Sequence, residues 1–351
     1  MRRHKNLYGR IVSFQNLLLA AKLAQRNKRF KHSTARFNFF LEKELCELQR
    51  QLSDKSYAPG EYTHFLIYEP KRRMISAAPY RDRVVHHAIH NILEPIFEPT
   101  FIYDSYATRK GKGTHAALDR FQAFACQTRY ALKCDIRQYF PSINHSVLLD
   151  LIQRKIVCED TLWLIKKILT THDAALTNHQ SPITNHQSPA IGIPIGNLTS
   201  QFFANIYLNG MDHFMKEKLR CHYYLRYMDD FVVLHDDKQF LWSVKESIQG
   251  YLKGLYLSLH ENKCRIFATH RGTPFLGLFI SNQSRRLKRA NVLKFKRRLR
   301  KFQRLYGEHA IEWKQINQSI QSWIGHAKHA DTFALRGLIL PSVVFKRSAT
   351  P

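Results

Sequence analysis

Tyr223-Tyr224-Leu225-Arg226-Tyr227-Met228-Asp229-Asp230-Phe231-Val232-Val233-Leu234 is the stretch from which the rest of the chain is best read. Its two halves are rich in aromatic and β-branched side chains and flank an acidic tight turn, which predicts a β-hairpin. Two adjacent carboxylates in an otherwise apolar hairpin repel each other and lose solvation. The cost is several kcal/mol unless a cation neutralises them. A plainer reading makes Asp229 and Asp230 water-exposed turn formers, since Asp hydrogen-bonds its own backbone in turns. A third carboxylate favours the first reading, because Asp135 ends another predicted strand, Tyr130-Ala131-Leu132-Lys133-Cys134. Carboxylates from two strands, with substrate phosphates, suit two Mg²⁺ ions roughly 3.5 to 4 Å apart, with Mn²⁺ as a substitute. Such a pair activates a 3′ hydroxyl and stabilises a pyrophosphate leaving group in an in-line phosphoryl transfer. No G-x-x-x-x-G-K-[ST] occurs, so this is not P-loop ATPase chemistry.

The surrounding chain has 351 residues, more than one compact core usually spans, which predicts two or three subdomains. With 44% hydrophobic and 12% aromatic residues against 23% charged, global disorder is excluded. Fifty-five Lys and Arg against 27 Asp and Glu leave a formal charge of +28. That sign selects a polyanion, nucleic acid first and an anionic membrane surface second. Six cysteines form no C-x-x-C pair, which argues against a zinc ribbon or a disulfide framework and fits a reducing cytoplasm. Leu17-Leu18-Leu19-Ala20-Ala21 is too short for a signal peptide and is broken by Lys22. No run of about 18 apolar residues occurs, so no membrane span is expected.

Residues 1–41 hold ten Lys or Arg and no acid, with Phe30, Phe37, Phe39 and Phe40 interleaved, and read as a basic helical arm. Phe65 to Glu69 predicts a strand, Pro70 to Arg73 a basic turn, and Arg81 to Phe97 a helix. His86, His90 and Glu94 recur on that helix, but ligands spread over two turns rarely converge on one ion, so they read as a polar face. A tandem copy, Thr177 to Pro182 and Thr184 to Pro189, reads as a replication slip in a tolerant surface loop and not as a metal site. Between Arg285 and Arg304 lie eleven Lys or Arg and no acid, while Val292, Phe295, Leu299, Phe302 and Tyr306 recur at helical spacing. Ile316, Ile320, Trp323 and Ala327 continue the pattern, so a small basic helical domain is expected from about 283.

Together these residues carry a resemblance. Tyr227-Met228-Asp229-Asp230 resembles the Y-x-D-D box of reverse transcriptases, and Asp135 with Phe140 resembles their first palm motif. Arg81-Asp82-Arg83-Val84-Val85-His86-His87, Ser105-Tyr106-Ala107-Thr108-Arg109-Lys110-Gly111, the block from Gly192 to Asn205, Leu259-His260-Glu261-Asn262-Lys263-Cys264 and Phe275-Leu276-Gly277 follow in the order of bacterial, group II intron-like enzymes. Coverage runs from about Pro70 to Gly277. Where intron and retroviral enzymes usually carry Q-G-x-x-x-S-P, this chain has Ile195-Gly196-Asn197-Leu198-Thr199-Ser200-Gln201. That form is similar to the reverse transcriptases of diversity-generating retroelements, which copy a template-repeat RNA with errors at adenine and feed the cDNA into a variable gene.

The resemblance implies an α+β right-hand polymerase: an N-terminal basic arm and fingers over 1–103, a palm of antiparallel sheet on helices over 104–282 with an insertion at 177–189, and a helical basic thumb over 283–351. It implies Asp135, Asp229 and Asp230 as metal ligands. Arg72, Arg73, Arg81 and Arg109 become candidates for the triphosphate, or equally for template phosphate. Phe140 would crowd a 2′ hydroxyl, Gly196 would let backbone approach the nucleotide or template, and Ile195 would replace a fidelity-supporting Gln. Lys263 would approach the primer or nucleotide, although a solvated surface Lys is the plainer reading. Arg297, Arg298, Arg300 and Lys301 would bind nucleic acid. The implied partners are template RNA, the cDNA/RNA hybrid, deoxynucleoside triphosphates and a small basic oligomeric accessory protein, in a bacterial cytoplasm and without a membrane. The alternatives are an intron-type or CRISPR-associated reverse transcriptase and, in another class, an RNA-binding protein on an inactive palm.

Overall fold

The computed structural model describes residues 3–68, 72–177 and 190–347. Apart from Thr177, the tandem copy lies outside them. Four helices open the chain: α1 (Tyr8–Val12), α2 (Phe14–Ala24), α3 (His32–Phe39) and α4 (Leu41–Ser53). They are not a free arm. Leu17, Ala20, Ala21 and Ala24 of α2, with Leu45, Leu48 and Leu52 of α4, are buried in the larger of two cores. Each buried Leu contributes about 1.5 to 3 kcal/mol, which outweighs mutual repulsion among the cations on the outer face.

Next come an antiparallel hairpin, β1 (Thr63–Ile67) and β2 (Arg73–Ala77), and helices α5 (Tyr80–Phe97) and α6 (Thr114–Ala125). Only β1 was expected from the sequence. Arg73 opens a strand and does not close a turn, because it pairs with Ile67 of β1; Met74 to Ala77 carries too little period-2 contrast to announce that strand. After β3 (Tyr130–Asp135) follow α7 (Tyr139–Ser142), α8 (His145–Gln153), α9 (Glu159–Thr177) and α10 (Leu198–His213). Then come β4 (Tyr223–Tyr227), β5 (Asp230–His235), α11 (Lys238–Lys253) and β6 (Arg265–Ala268). A small sheet of β7 (Thr273–Phe275), β8 (Leu278–Ile280) and β9 (Arg285–Leu287) precedes α12 (Arg289–Gly307), α13 (Trp313–Ala327) and α14 (Phe333–Ile339).

The central sheet is antiparallel in the order β4-β5-β3-β6, as expected of a palm. Residues directly opposite in such a ladder share a face. Leu132 opposes Val233 and Cys134 opposes Phe231; this face lies in the larger core with buried residues of α5, α8, α10 and α11. Ala131 opposes Leu234 and Lys133 opposes Val232 on the other face, whose apolar members join a second core with α6, β8, α12 and α13. At the end of the ladder this second face turns from apolar to charged, and there Asp135 opposes Asp230.

Phe295 of α12 stacks on Trp323 of α13, with ring centroids 3.8 Å apart, so the predicted apolar stripes meet each other. The helical segment starts six residues after 283 because Arg285–Leu287 first completes the small sheet. Among the described residues no helix is long and apolar enough to cross a membrane.

Candidate active site

Tyr227 pairs with Asp230, so Met228 and Asp229 alone turn the hairpin. Met228 takes the left-handed region, with φ 58°. A side chain there costs about 1 kcal/mol or more, offset here because Arg226 Nη1 donates to the Met228 carbonyl at 3.0 Å. The Ile136 N–H donates to the Asp229 carbonyl at 3.2 Å. Backbone pairing therefore brings Asp229 and Asp230 to the end of β3, where Asp135 stands.

Two lysines face the opposed carboxylates. Lys263 Nζ donates to Asp135 Oδ1 at 2.6 Å. Lys133 Nζ lies 3.0 Å from Asp230 Oδ1 as an ion pair, but off the hydrogen-bond direction, so this buried oxygen has no aligned hydrogen bond among the described residues. Burial, and then the charges of Asp135 and Asp229, push the Asp230 carboxyl up to about 6 against the pull of Lys133. Asp229 is also raised, by burial first and then by Asp135, while its own backbone N–H, Arg73 and Lys263 pull the other way. Lys133 escaped the sequence reading, although i, i+2 alternation from Asp135 puts it on the same face.

A third ion pair lies beneath the hairpin. Arg226 and Asp212 are both fully buried, with Nη2 2.6 Å from Oδ2 and Nε 2.7 Å from Oδ1. Arg226 also donates to Asn205 Oδ1 and Ser105 Oγ, and the Tyr224 hydroxyl donates to Asp212 Oδ1 at 2.6 Å. This network joins β4, α10 and the loop before α6 under the acidic turn. No local sequence signal marked it, because nothing in the order of residues says that Arg226 points inward.

The other predicted residues divide. Arg73 is exposed on β2 and its charge acts on Asp229, whereas Arg72 is exposed with no carboxylate partner among the described residues. Arg81 donates to Gln51 and lies over the Tyr57 ring. Arg109 donates to Glu98 Oε1 at 2.8 Å and to the carbonyls of Ile102 and Ser105, so it ties the loop before α6 together and its fork is already engaged. Phe140 is half-buried beside Tyr139, and its carbonyl accepts from Ile193 N at 2.9 Å. The Ile195 carbonyl accepts from Ser76 N at 3.0 Å. Gly196, at φ +124°, packs closely on a neighbouring strand: a Cβ there would stand 2.9 Å from Ile75 Cγ2 and 3.4 Å from the Ser76 carbonyl. Arg297, Arg300 and Lys301 are exposed on α12, and Arg298 is partly exposed.

The histidines of α5 do not form a polar face. His86 is buried and held to about 3, by burial first and then by the charges of His87 and Arg83. His90 packs against Phe202, 3.8 Å from Glu94.

Among the described residues no three His, Cys, Asp or Glu side chains converge on a metal position. The donor set nonetheless suits a hard cation bound through one or two carboxylates, with further oxygens from substrate phosphate. The buried, unaligned Asp230 oxygen and the raised Asp229 and Asp230 carboxyls mark where positive charge is short.

Residues 68–280 match the family described as reverse transcriptase (RNA-dependent DNA polymerase). Protein YkfC of Escherichia coli (strain K12) is 27% identical over 255 residues, covering 60% of this chain and 65% of that protein. The group II intron-encoded protein LtrA of Lactococcus lactis subsp. cremoris is 27% identical over 179 residues, 50% of this chain and 29% of LtrA. The chain thus spans less than two thirds of either relative. Among solved structures, apo telomerase from Candida tropicalis, truncated from its C-terminal domain, resembles it with a TM-score of 0.45 and 14% identity, over 69% of this chain and 59% of that one.

Proposed function

Because the chain belongs to the reverse transcriptase (RNA-dependent DNA polymerase) family, we propose that it is a polymerase that copies RNA into DNA at the hairpin of Asp229 and Asp230. The observation that carries this reading is the register pair Asp135 and Asp230, with the Asp229 turn laced to Ile136. A protein that only binds RNA gains nothing from clustered, half-buried carboxylates where a polyanion docks. In this reading residues 1–103 are fingers, 104–282 palm and 283–351 thumb.

Asp135, Asp229 and Asp230 would hold Mg²⁺, or Mn²⁺ in its place, which supplies positive charge to the 3′ hydroxyl and the triphosphate when bound. Lys263 orients Asp135 through its 2.6 Å hydrogen bond, and Lys133 sets a positive charge 3.0 Å from Asp230. Arg73, exposed beside Asp229, takes triphosphate charge; Arg72 is placed to assist it, while Arg81 and Arg109 position the fingers and the loop before α6. Arg297, Arg298, Arg300 and Lys301 hold the template hybrid through its phosphates. A DNA primer on an RNA template, given deoxynucleoside triphosphates, tests the activity. No extension with either metal sinks it.

Phe140, five residues after Asp135 and half-buried beside Tyr139, would crowd a 2′ hydroxyl, as the likeness to the family's first palm motif implies. Phe140→Ala is expected to admit ribonucleotides with a modest loss of deoxynucleotide incorporation, measured by competing the two triphosphates. Unaltered discrimination returns Phe140 to a packing role.

Within the family we assign the chain to the retroelement type, on Ile195-Gly196-Asn197-Leu198-Thr199-Ser200-Gln201. It would then copy a template-repeat RNA in a bacterial cytoplasm, with a small basic oligomeric accessory protein, and misincorporate at template adenines. An Ile at 195 offers shape and dispersion where a Gln hydrogen-bonds, a difference of about ten to a hundredfold in selectivity. Ile195→Gln is expected to lower errors opposite adenine more than at other bases when cDNA from both enzymes is sequenced. Equal adenine errors remove Ile195 from the fidelity argument. The likeness to LtrA supports a second reading, an intron-type enzyme, and the neighbouring DNA separates the two. A template and a variable repeat differing mainly at adenines support the retroelement.

A further inference from the structure

The small sheet of β7, β8 and β9 turns one face inward. Phe275, Leu278, Ile280 and Leu287 are buried there in the second core. The alternate positions face out, with Phe279 paired to Pro274 on one side and to Arg286 on the other. Phe279 is 39% exposed. A groove of about 240 Å³ on this outer face is lined by Arg271, Phe279, Ser281, Ser284, Arg286 and Arg289. It lies at the end of the β7–β8 hairpin opposite the Leu276-Gly277 turn, which approaches His326 of α13.

Charge balance singles this groove out. Arg285, one residue away, is matched by Asp119 at 2.7 Å and Gln122 at 2.6 Å. Among the described residues Arg271, Arg286 and Arg289 have no acidic partner, and no acid lines the groove. Three guanidiniums around one small groove repel one another unless an anion enters, and their forked donors fit phosphate oxygens. The exposed Phe279 ring beside them offers an apolar plane to something flat. Phosphate and a flat base together are a nucleotide, and a base free to lie on the Phe279 ring is one unpaired residue of a single strand.

We infer that this groove holds one nucleotide of a single-stranded nucleic acid, its phosphate on Arg271, Arg286 and Arg289 and its base on Phe279. The identity of the polyanion rests on the polymerase reading; the groove itself does not. Binding of a long single-stranded RNA to the full chain, measured in chelator so that no synthesis occurs, tests the inference apart from catalysis. Arg286→Gln with Arg289→Gln is expected to weaken binding about tenfold and to flatten the salt dependence by about 0.7 for each phosphate left without its cation. Phe279→Ala is expected to weaken it about tenfold with the salt slope unchanged, since stacking releases no counterion. Wild-type affinity and slope in both variants, given unchanged melting curves, overturn the site. So do equal losses on duplex DNA, which presents no free base. Wild-type primer extension is scored separately, so failure of the polymerase reading is told apart from failure of the groove.

Discussion

Asp229→Asn and Asp135→Asn are each expected to lower primer extension by about 10³-fold or more, roughly 4 kcal/mol of barrier, while RNA affinity stays level or rises slightly. Asn keeps the size and most of the shape of Asp, so the β4–β5 register and the Ile136 to Asp229 backbone bond have no reason to change. What is removed is a charged oxygen. The affinity expectation follows from removing negative charge beside the template phosphates without touching a cation. Asp135→Asn also leaves the Lys263 ammonium facing a neutral amide oxygen in place of the carboxylate at 2.6 Å, so its effect should equal or exceed that of Asp229→Asn. Extension above a tenth of wild type in either variant contradicts the assignment, as does a matching collapse of RNA binding, which would mean that the hairpin had unfolded.

The second large effect is in stability. Arg226→Met leaves Asp212 charged, fully buried and unpaired, at a cost of about 3 to 5 kcal/mol. Domains of ordinary stability have about 5 to 15 kcal/mol in all, so the variant sits near the edge of folding. Asp212→Asn should cost less, because Arg226 keeps its donations to Met228, Asn205 and Ser105. Combining Arg226→Met with Asp212→Leu is expected to recover much of the stability, since apolar replacement of a buried pair is often neutral. It should not recover extension, because the Met228 carbonyl then lacks the donor that holds the turn. Urea unfolding followed by primer extension separates the two. A loss under about 1 kcal/mol for Arg226→Met would take the pair out of the account of the hairpin.

Some of the site was legible because its signals are local. Tyr223 to Leu234 sets two β-rich halves around two acids, and Asp135 ends a short apolar run, so the three strands and the end at which the carboxylates stand follow from local composition and turn chemistry. The helices of the basic C-terminal segment were legible for the same reason, with Phe295 and Trp323 falling on predicted inward stripes. Gly196 shows the limit of such reading. Its need for glycine was visible, but the neighbour that demands it, β2, lies far away in sequence and was not itself anticipated.

By itself the sequence determined the local chemistry: which segments are β-rich or helically periodic, where three acids end or turn strands, and how far positive charge exceeds negative. These depend on neighbours within a few residues and survive any packing. Only the tertiary structure decided which cations serve the acids and which serve the scaffold. Lys133 reaches Asp230 across the β3–β5 pair, Lys263 reaches Asp135 from the turn before β6, Arg109 closes its own loop on Glu98, and Arg226 turns inward to Asp212. An arginine or lysine side chain is long enough to satisfy a near or a distant partner. The choice rests on burial and on long-range register, and residue order alone carries neither.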